Sequence, residues 1–443
     1  MKIVIVGTNH AGIAAANTIL DNYPDNEVVM IDRNSNLSYL GCGTALWVGR
    51  QIDGYDKLFY TNPDDFKAKG AKISLETSVN KVDFDNKILY LEDKLGNKSE
   101  ETYDKLILAT GSKPIVPNLP GNDLDGLHFL KLFQEGQAVD QELSKSTVKN
   151  VAVIGAGYIG VEIAEAAQRR GKNVHLFDAA YHSLSSYYDD DFAKTMDENL
   201  EKHGIKTHFG ELAEEYIGKD GRISKLVTTK DTYDVDMVIN AIGFTANNDL
   251  GKDHLELFKN GAYLVDKHQL TSDPDVYAIG DCATVYSNAI QGTAYIALAT
   301  NAVRSGIVAG HNVCGTHLDS LGVQGSNGIS IYNYNMVSTG LSVKAAKANG
   351  LDVNFTDFED TQRPGFMKEN ANVKIRIVYE KESRRVVGAQ MASTYDISMG
   401  IHMFSLAIQN GNTIDDIALL DIFFLPHFNQ PYNYITMAAI TAK

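Results

Sequence analysis

The chain has 443 residues, enough for roughly three domains of ordinary size, with 44 % apolar and 22 % charged residues. Lys and Arg number 40 against 56 Asp and Glu, and the net charge of −16 argues against nucleic acid or an anionic membrane as a partner. Only Cys42, Cys282 and Cys314 are present, which excludes a secreted disulfide framework and points to a reducing, cytoplasmic interior.

In chain order, Ile3 to Val6 reads as a buried parallel strand that ends at Gly7. A helix is predicted over Ala11–Leu20 and a second strand over Glu27–Ile31, closing on Asp32. Another strand leads through Leu106, Ile107, Leu108, Ala109 and Thr110 to Gly111. The opening pattern then returns: strand Val151–Ile154, Gly155 to Gly160, a helix from about Val161 to Arg170, strand Asn173–Phe177, and Asp178. Further strand-to-glycine patterns end at Gly243 and at Gly280-Asp281. Beyond Gly322 the segments alternate as strands, including Val373–Val378 and Val386–Met391, before a helix near Ile401–Gln409 and an aromatic tail over Phe423–Tyr434. The uncharged stretches 282–303 and 422–442 carry too many polar residues and prolines for a lipid-facing helix. No signal-peptide pattern follows Lys2.

The repeated strand–turn–helix–strand–acid unit is that of a dinucleotide site. Gly155, Gly157 and Gly160 allow the tight turn, the approach of a pyrophosphate and close helix packing, while Asp178 accepts a ribose hydroxyl and repels a 2′-phosphate. No Lys or Arg lies between Asp178 and Asp189, which favours NADH over NADPH. The first copy, Gly7-Thr8-Asn9-His10-Ala11-Gly12 with Asp32, has Asn9 where the middle glycine usually stands. Two such units in one chain predict two dinucleotides.

Together with Ala109-Thr110-Gly111 and Ala278-Ile279-Gly280-Asp281, these motifs resemble the FAD/NAD disulfide reductase superfamily over essentially the whole chain. The resemblance implies an α/β fold with two Rossmann-like FAD- and NAD-binding domains and a C-terminal α+β dimerisation domain. The boundaries are 1–115 and 246–321 for the FAD domain, 116–245 for the NAD domain, and 322–443 for dimerisation. Cys42 has no second cysteine within a few residues, so a dithiol couple is absent and a single thiol cycling through sulfenic acid is expected. A helix starting beside Cys42 would lower its pKa; an inert buried thiol is the bland alternative. His10, in the first turn, matches the histidine that single-cysteine relatives place beside the redox thiol.

The segments Leu40–Trp47 and Phe423–Asn433 look most like water-forming NADH oxidases. This implies a flavoprotein passing electrons from NADH through FAD and Cys42 to dioxygen, as a homodimer. An NADH peroxidase is the alternative. Coenzyme A-disulfide reductase is disfavoured because no Lys or Arg lies between Lys2 and Arg33, and a flavin redox sensor is the reading from another class. Carried over by position, the resemblance implies FAD contacts from Gly7, Thr8, Asn9, His10, Ala11, Gly12, Asp32, Cys42, Val79, Ala109, Thr110, Gly111, Lys131, Asp281, Ala297, Leu298, Ala299 and Phe424. It implies NAD contacts from Gly155, Gly157, Tyr158, Ile159, Gly160, Asp178, Tyr187 and Gly243, and no metal site. Phe424 belongs to a tail that in the family reaches the flavin region of the other subunit.

Overall fold

The computed structural model describes residues 1–443. Strand β1 (Lys2–Val6), helix α1 (His10–Asn22) and strand β2 (Glu27–Ile31) form the first unit, and β1 and β2 pair in parallel from Lys2↔Glu27 to Val6↔Ile31. Ile3, Val4 and Ile5 are fully buried, as befits a central parallel strand covered on both faces. The sheet is completed by Lys72–Ser74 on one side and by Lys105–Leu108 and Val276–Ala278 on the other. The late strand thus returns to the sheet that the chain began.

Helix α1 starts at His10, one residue earlier than the sequence pattern suggests. Asn9 is the last extended residue, so His10 belongs to the first helical turn. A short helix α2 (Thr44–Val48) follows the Cys42 segment. The second unit repeats the plan with β3 (Asn150–Ile154), α3 (Tyr158–Arg169) and β4 (Asn173–Asp178). Helix α3 also begins earlier than predicted, at Tyr158, because Gly157 serves as its N-cap. Its sheet has the order Lys206–Phe209, β4, β3, Met237–Asn240, Leu127–His128, all parallel. The chain crosses between the two sheets at an antiparallel pair, Ser112–Pro114 with Phe244–Ala246.

The C-terminal part is a five-stranded antiparallel sheet in the order Asn327–Ile331, Tyr334–Gly340, Val386–Ser393, Asn372–Glu380, Val353–Thr361. Helix Ser398–Asn410 packs on its two central strands. Side chains tie this sheet to the second unit: Gln390 Nε2 donates to Asp189 Oδ2 (2.7 Å), Asp189 N donates back to Gln390 Oε1 (2.9 Å), and Arg376 Nη1 reaches Asp191 Oδ1 at 2.9 Å. Helix α4 (Ala299–Val313) lies along α1 at a separation only glycine permits, since a Cβ on Gly306 would stand 2.4 Å from Ala11 O. That packing sets Gly306, in the middle of α4, against Ala11 at the start of α1. No helix is long and apolar enough to cross a membrane.

Candidate active site

Each fingerprint turn is held by its own acid. Thr8 N and Oγ1 donate to Asp32 Oδ2 at 2.7 and 3.0 Å, while Asn34 N donates to Oδ1 at 2.8 Å. In the second copy, Ala156 N donates to Asp178 Oδ2 at 2.6 Å and Ala180 N to Oδ1 at 2.7 Å. Gly7 and Gly155 adopt φ of +113° and +101°, conformations that favour glycine. A Cβ on Gly12 would meet Gly7 O at 1.9 Å and one on Gly160 would meet Gly155 O at 1.7 Å, so both helices press on their turns. Gly157 has open space where a Cβ would stand. Neither Asn9 nor Gly157 caps its helix through a side chain, which leaves first-turn N–H groups and the positive dipole end for an anion. This donor set fits a dinucleotide at each turn.

The first turn is surrounded by the other residues expected at a flavin site. Ala109 N donates to Val6 O (2.8 Å), Thr110 Oγ1 to Asn247 O (2.6 Å), and Gly111 sits at φ +69°. Lys131 Nζ donates to Ser112 Oγ (2.8 Å) and to Asp281 Oδ2 (3.2 Å). Gly280 packs on Ala11, leaving Asp281 beside the start of α1. Ala297 and Leu298 lead into Ala299, the first residue of α4, and Val79 lies on the strand Thr77–Asp83 against the first unit's core. Ile159 stands in the first turn of α3, and Gly243 (φ +111°) accepts from Ile115 N at 3.0 Å. Phe424 is the predicted contact that one chain leaves apart: it is 48 % exposed and belongs to none of the buried clusters.

Cys42 opens into a cleft of about 330 Å³ that is also lined by Leu46, Gln51, Glu162, Val337 and Asp396. The expectation of a thiol lowered by a helix dipole is overturned. Cys42 lies inside a single 3-10 turn, Gly41–Gly43, and α2 beyond it has five residues. Burial pushes the thiol up and the Glu162 carboxylate adds to this, while Lys131 opposes it. Glu162, one turn into α3 of the second unit, is itself pushed up to about 7, first by burial and then by Glu165. Lys131 and Asp281 also act on His10, whose pKa burial lowers. Charged groups from both units therefore converge on Cys42.

Tyr158 opens α3 at the second fingerprint. Its ring packs on Tyr187 (centroids 4.4 Å), and its hydroxyl bonds Tyr188 Oη at 3.0 Å and Asn327 of the C-terminal sheet. Sequence reasoning missed Asn327 because the contact joins distant parts of the chain. It also missed Tyr60, whose hydroxyl lies 3.0 Å from His10 Nδ1. Cys282 is buried and donates to Ile279 O (3.2 Å) and Leu108 O (3.3 Å), a packed thiol.

Residues 1–306 match the pyridine nucleotide-disulphide oxidoreductase family, and residues 328–433 match its dimerisation domain. The chain belongs to this family. It is 67 % identical to an NADH oxidase of Lactococcus lactis, with 100 % of both chains covered. An NADH oxidase of Streptococcus pyogenes is 55 % identical, with 100 % of this chain and 99 % of that one covered. Among solved structures, a water-forming NADH oxidase from Lactobacillus brevis bound to NADH superposes with a TM-score of 0.96 at 38 % identity, covering 99 % of this chain and 97 % of that one. For a pyridine nucleotide-disulphide oxidoreductase, the absence of a second thiol near Cys42 is the departure that bears on activity.

Proposed function

We propose that this oxidoreductase is an FAD-dependent NADH oxidase that reduces dioxygen to water. The observation that carries the reading is Cys42, a lone thiol that lines one cleft with Glu162 of the second dinucleotide unit and is acted on by Asp281, which lies beside the first. Its likeness to NADH oxidases over the full chain supports the same reading. FAD, when bound, supplies the exchange of electrons between a two-electron nicotinamide donor and dioxygen.

The chain's own residues divide the work. The N-terminus of α1 would hold the FAD pyrophosphate, Asp32 would hold a ribose, and Lys131 and Asp281 would hydrogen-bond further polar groups of the cofactor. The N-terminus of α3 and Asp178 hold NADH, and Tyr158 swings from Tyr187 to admit the nicotinamide. Cys42 takes an oxygen atom from peroxide as a sulfenic acid, and His10 donates a hydrogen bond beside it. Residues 1–115 and 246–321 form the FAD domain, 116–245 the NAD domain and 322–443 the dimerisation domain. A second copy covers the exposed apolar stretch that includes Leu419, Phe423, Phe424, Phe428 and Tyr432, and Phe424 reaches the partner's flavin site. The enzyme works as a cytoplasmic homodimer.

An oxygen electrode with NADH in excess, and catalase added at the end, tests this. Two NADH consumed per dioxygen, with no oxygen returned by catalase, is the expected result. Cys42→Ser is expected to return oxygen on catalase addition, because peroxide then escapes. Oxidation of NADH only when peroxide is supplied would make the protein a peroxidase, and arrest after one reduction per flavin would make it a sensor.

A further inference from the structure

We infer that Tyr60 is a positioning residue for His10, holding the imidazole in the tautomer that carries its proton on Nε2. The Tyr60 hydroxyl is 3.0 Å from His10 Nδ1, and the two rings lie parallel, 8° apart in plane with centroids 5.7 Å apart. A phenol donates better than it accepts, and a bare imidazole nitrogen is a strong acceptor. Tyr60 therefore donates to Nδ1, and the neutral ring carries its proton on Nε2.

The proposed place of His10 beside Cys42 supplies the use for that proton. The charged groups facing His10 are Asp281 and Lys131, from two other segments, and the first turn of α1 adds no acidic residue. The same two groups also act electrostatically on Cys42, and the proposed function sets the imidazole beside that thiol. Tyr60 is held rigidly to both. Leu40 N donates to Leu58 O (2.8 Å), Ser38 Oγ donates to Thr61 O (2.8 Å), and Ser38 N donates to Thr8 O (3.1 Å). These bonds stitch the Tyr60 segment to the Cys42 segment and to the fingerprint turn. Ser38 keeps a left-handed φ of +62° within them, strain of the kind that surrounding structure imposes at functional sites.

The inference rests on the reading of Cys42 as the thiol that peroxide oxidises. In that step the sulfur attacks one peroxide oxygen and loses two electrons, and the O–O bond breaks. The attacked oxygen stays on sulfur as the sulfenic acid. The other leaves as hydroxide and takes the proton released by the thiol, forming water. His10 Nε2–H hydrogen-bonds the leaving oxygen and keeps its own proton.

The test uses the FAD-loaded enzyme with Cys42 reduced, hydrogen peroxide as oxidant and a sulfenate-trapping dione read by mass spectrometry, across about pH 5 to 9, the range in which histidine titrates. Tyr60→Phe keeps the ring and removes the donor. It is expected to slow trapping about threefold to tenfold, the worth of one hydrogen bond. The slowing is confined to the neutral ring: at acid pH the imidazolium carries a proton on Nε2 with or without Tyr60, so variant and wild type converge there. In a His10→Gln background the same change is expected to have no effect. Effects of Tyr60→Phe and His10→Gln that multiply, or a Tyr60→Phe profile that overlies the wild type, would overturn the inference. Solid-state spectra of 15N-histidine-labelled enzyme, with His10→Gln identifying the signal, decide it independently: Nδ1 without a proton supports it and Nδ1 protonated overturns it. No trapping in the wild type would instead defeat the role given to Cys42, and the nitrogen spectra would still decide the tautomer.

Discussion

The two fingerprint units use one backbone device and differ in what stands at its rim. Asp32 and Asp178 each accept a backbone N–H from their own turn, and Gly12 and Gly160 each press a helix on the preceding glycine. The first residue of each helix then sets the units apart. In the first it is His10, paired with Tyr60 and facing Lys131 and Asp281. In the second it is Tyr158, packed on Tyr187 and tied to Asn327. One backbone device thus starts with a hydrogen-bonded imidazole in the first unit and with a hydrogen-bonded tyrosine in the second. The turn geometry is a property of the repeated unit, whereas its chemistry differs at one residue, the helix start.

The sharpest way to separate the units is to damage each cradle in the same way. The methyl of Gly12→Ala falls 1.9 Å from Gly7 O and that of Gly160→Ala 1.7 Å from Gly155 O. Each forces a helix off its turn, at roughly 1–3 kcal/mol. Gly12→Ala is expected to yield protein largely stripped of flavin, seen as lost visible absorbance. Gly160→Ala is expected to keep its flavin and raise the KM for NADH about tenfold or more, equivalent to about 1.4 kcal/mol. If either change removes both ligands, the two sites are not independent.

A second contrast distinguishes the two acids. Asp178→Ala removes the charge that repels a 2′-phosphate, and no Lys or Arg stands between it and Asp189. The ratio of kcat/KM for NADH over NADPH is expected to fall about tenfold to a hundredfold, or about 1.4–2.7 kcal/mol of discrimination. Asp32→Ala is expected to weaken flavin retention and leave that ratio unchanged. Steady-state kinetics with both nucleotides checks the pair, and an unchanged ratio in Asp178→Ala would remove Asp178 from nucleotide selection.

Much of this arrangement was legible because it is local. Strand, glycine turn, helix and acid fall within some thirty residues, and β2 runs over Glu27–Ile31 as its β-branched pattern predicts. Even the return of a late strand to the first sheet was legible through the Gly280-Asp281 motif. What escaped depends on folding back. Tyr60 meets His10 because Ser38 bonds both Thr61 beside Tyr60 and Thr8 in the fingerprint turn, which lays the two segments together. Asn327 meets Tyr158 only because the C-terminal sheet docks on the second unit. The direction of the Cys42 shift was misread for the same reason: burial of the thiol, and after it the Glu162 carboxylate, arise only once distant segments pack around Cys42.

That misreading yields the smallest and most specific prediction. Glu162 belongs to the second unit and Cys42 to the segment stitched to the first, so their coupling measures how closely the units meet. A carboxylate beside a thiol disfavours the thiolate, and Glu162 raises the Cys42 pKa for that reason. Glu162→Gln keeps the shape and removes the charge. The Cys42 thiol is then expected to titrate at lower pH, with alkylation by iodoacetamide about threefold faster at mildly alkaline pH, where the wild-type carboxylate is ionised. The difference shrinks as pH falls through about 7, because Glu162 takes up its proton there and the wild type comes to resemble the variant. A difference that stayed constant across this range would show that Glu162 acts on Cys42 through packing, not charge.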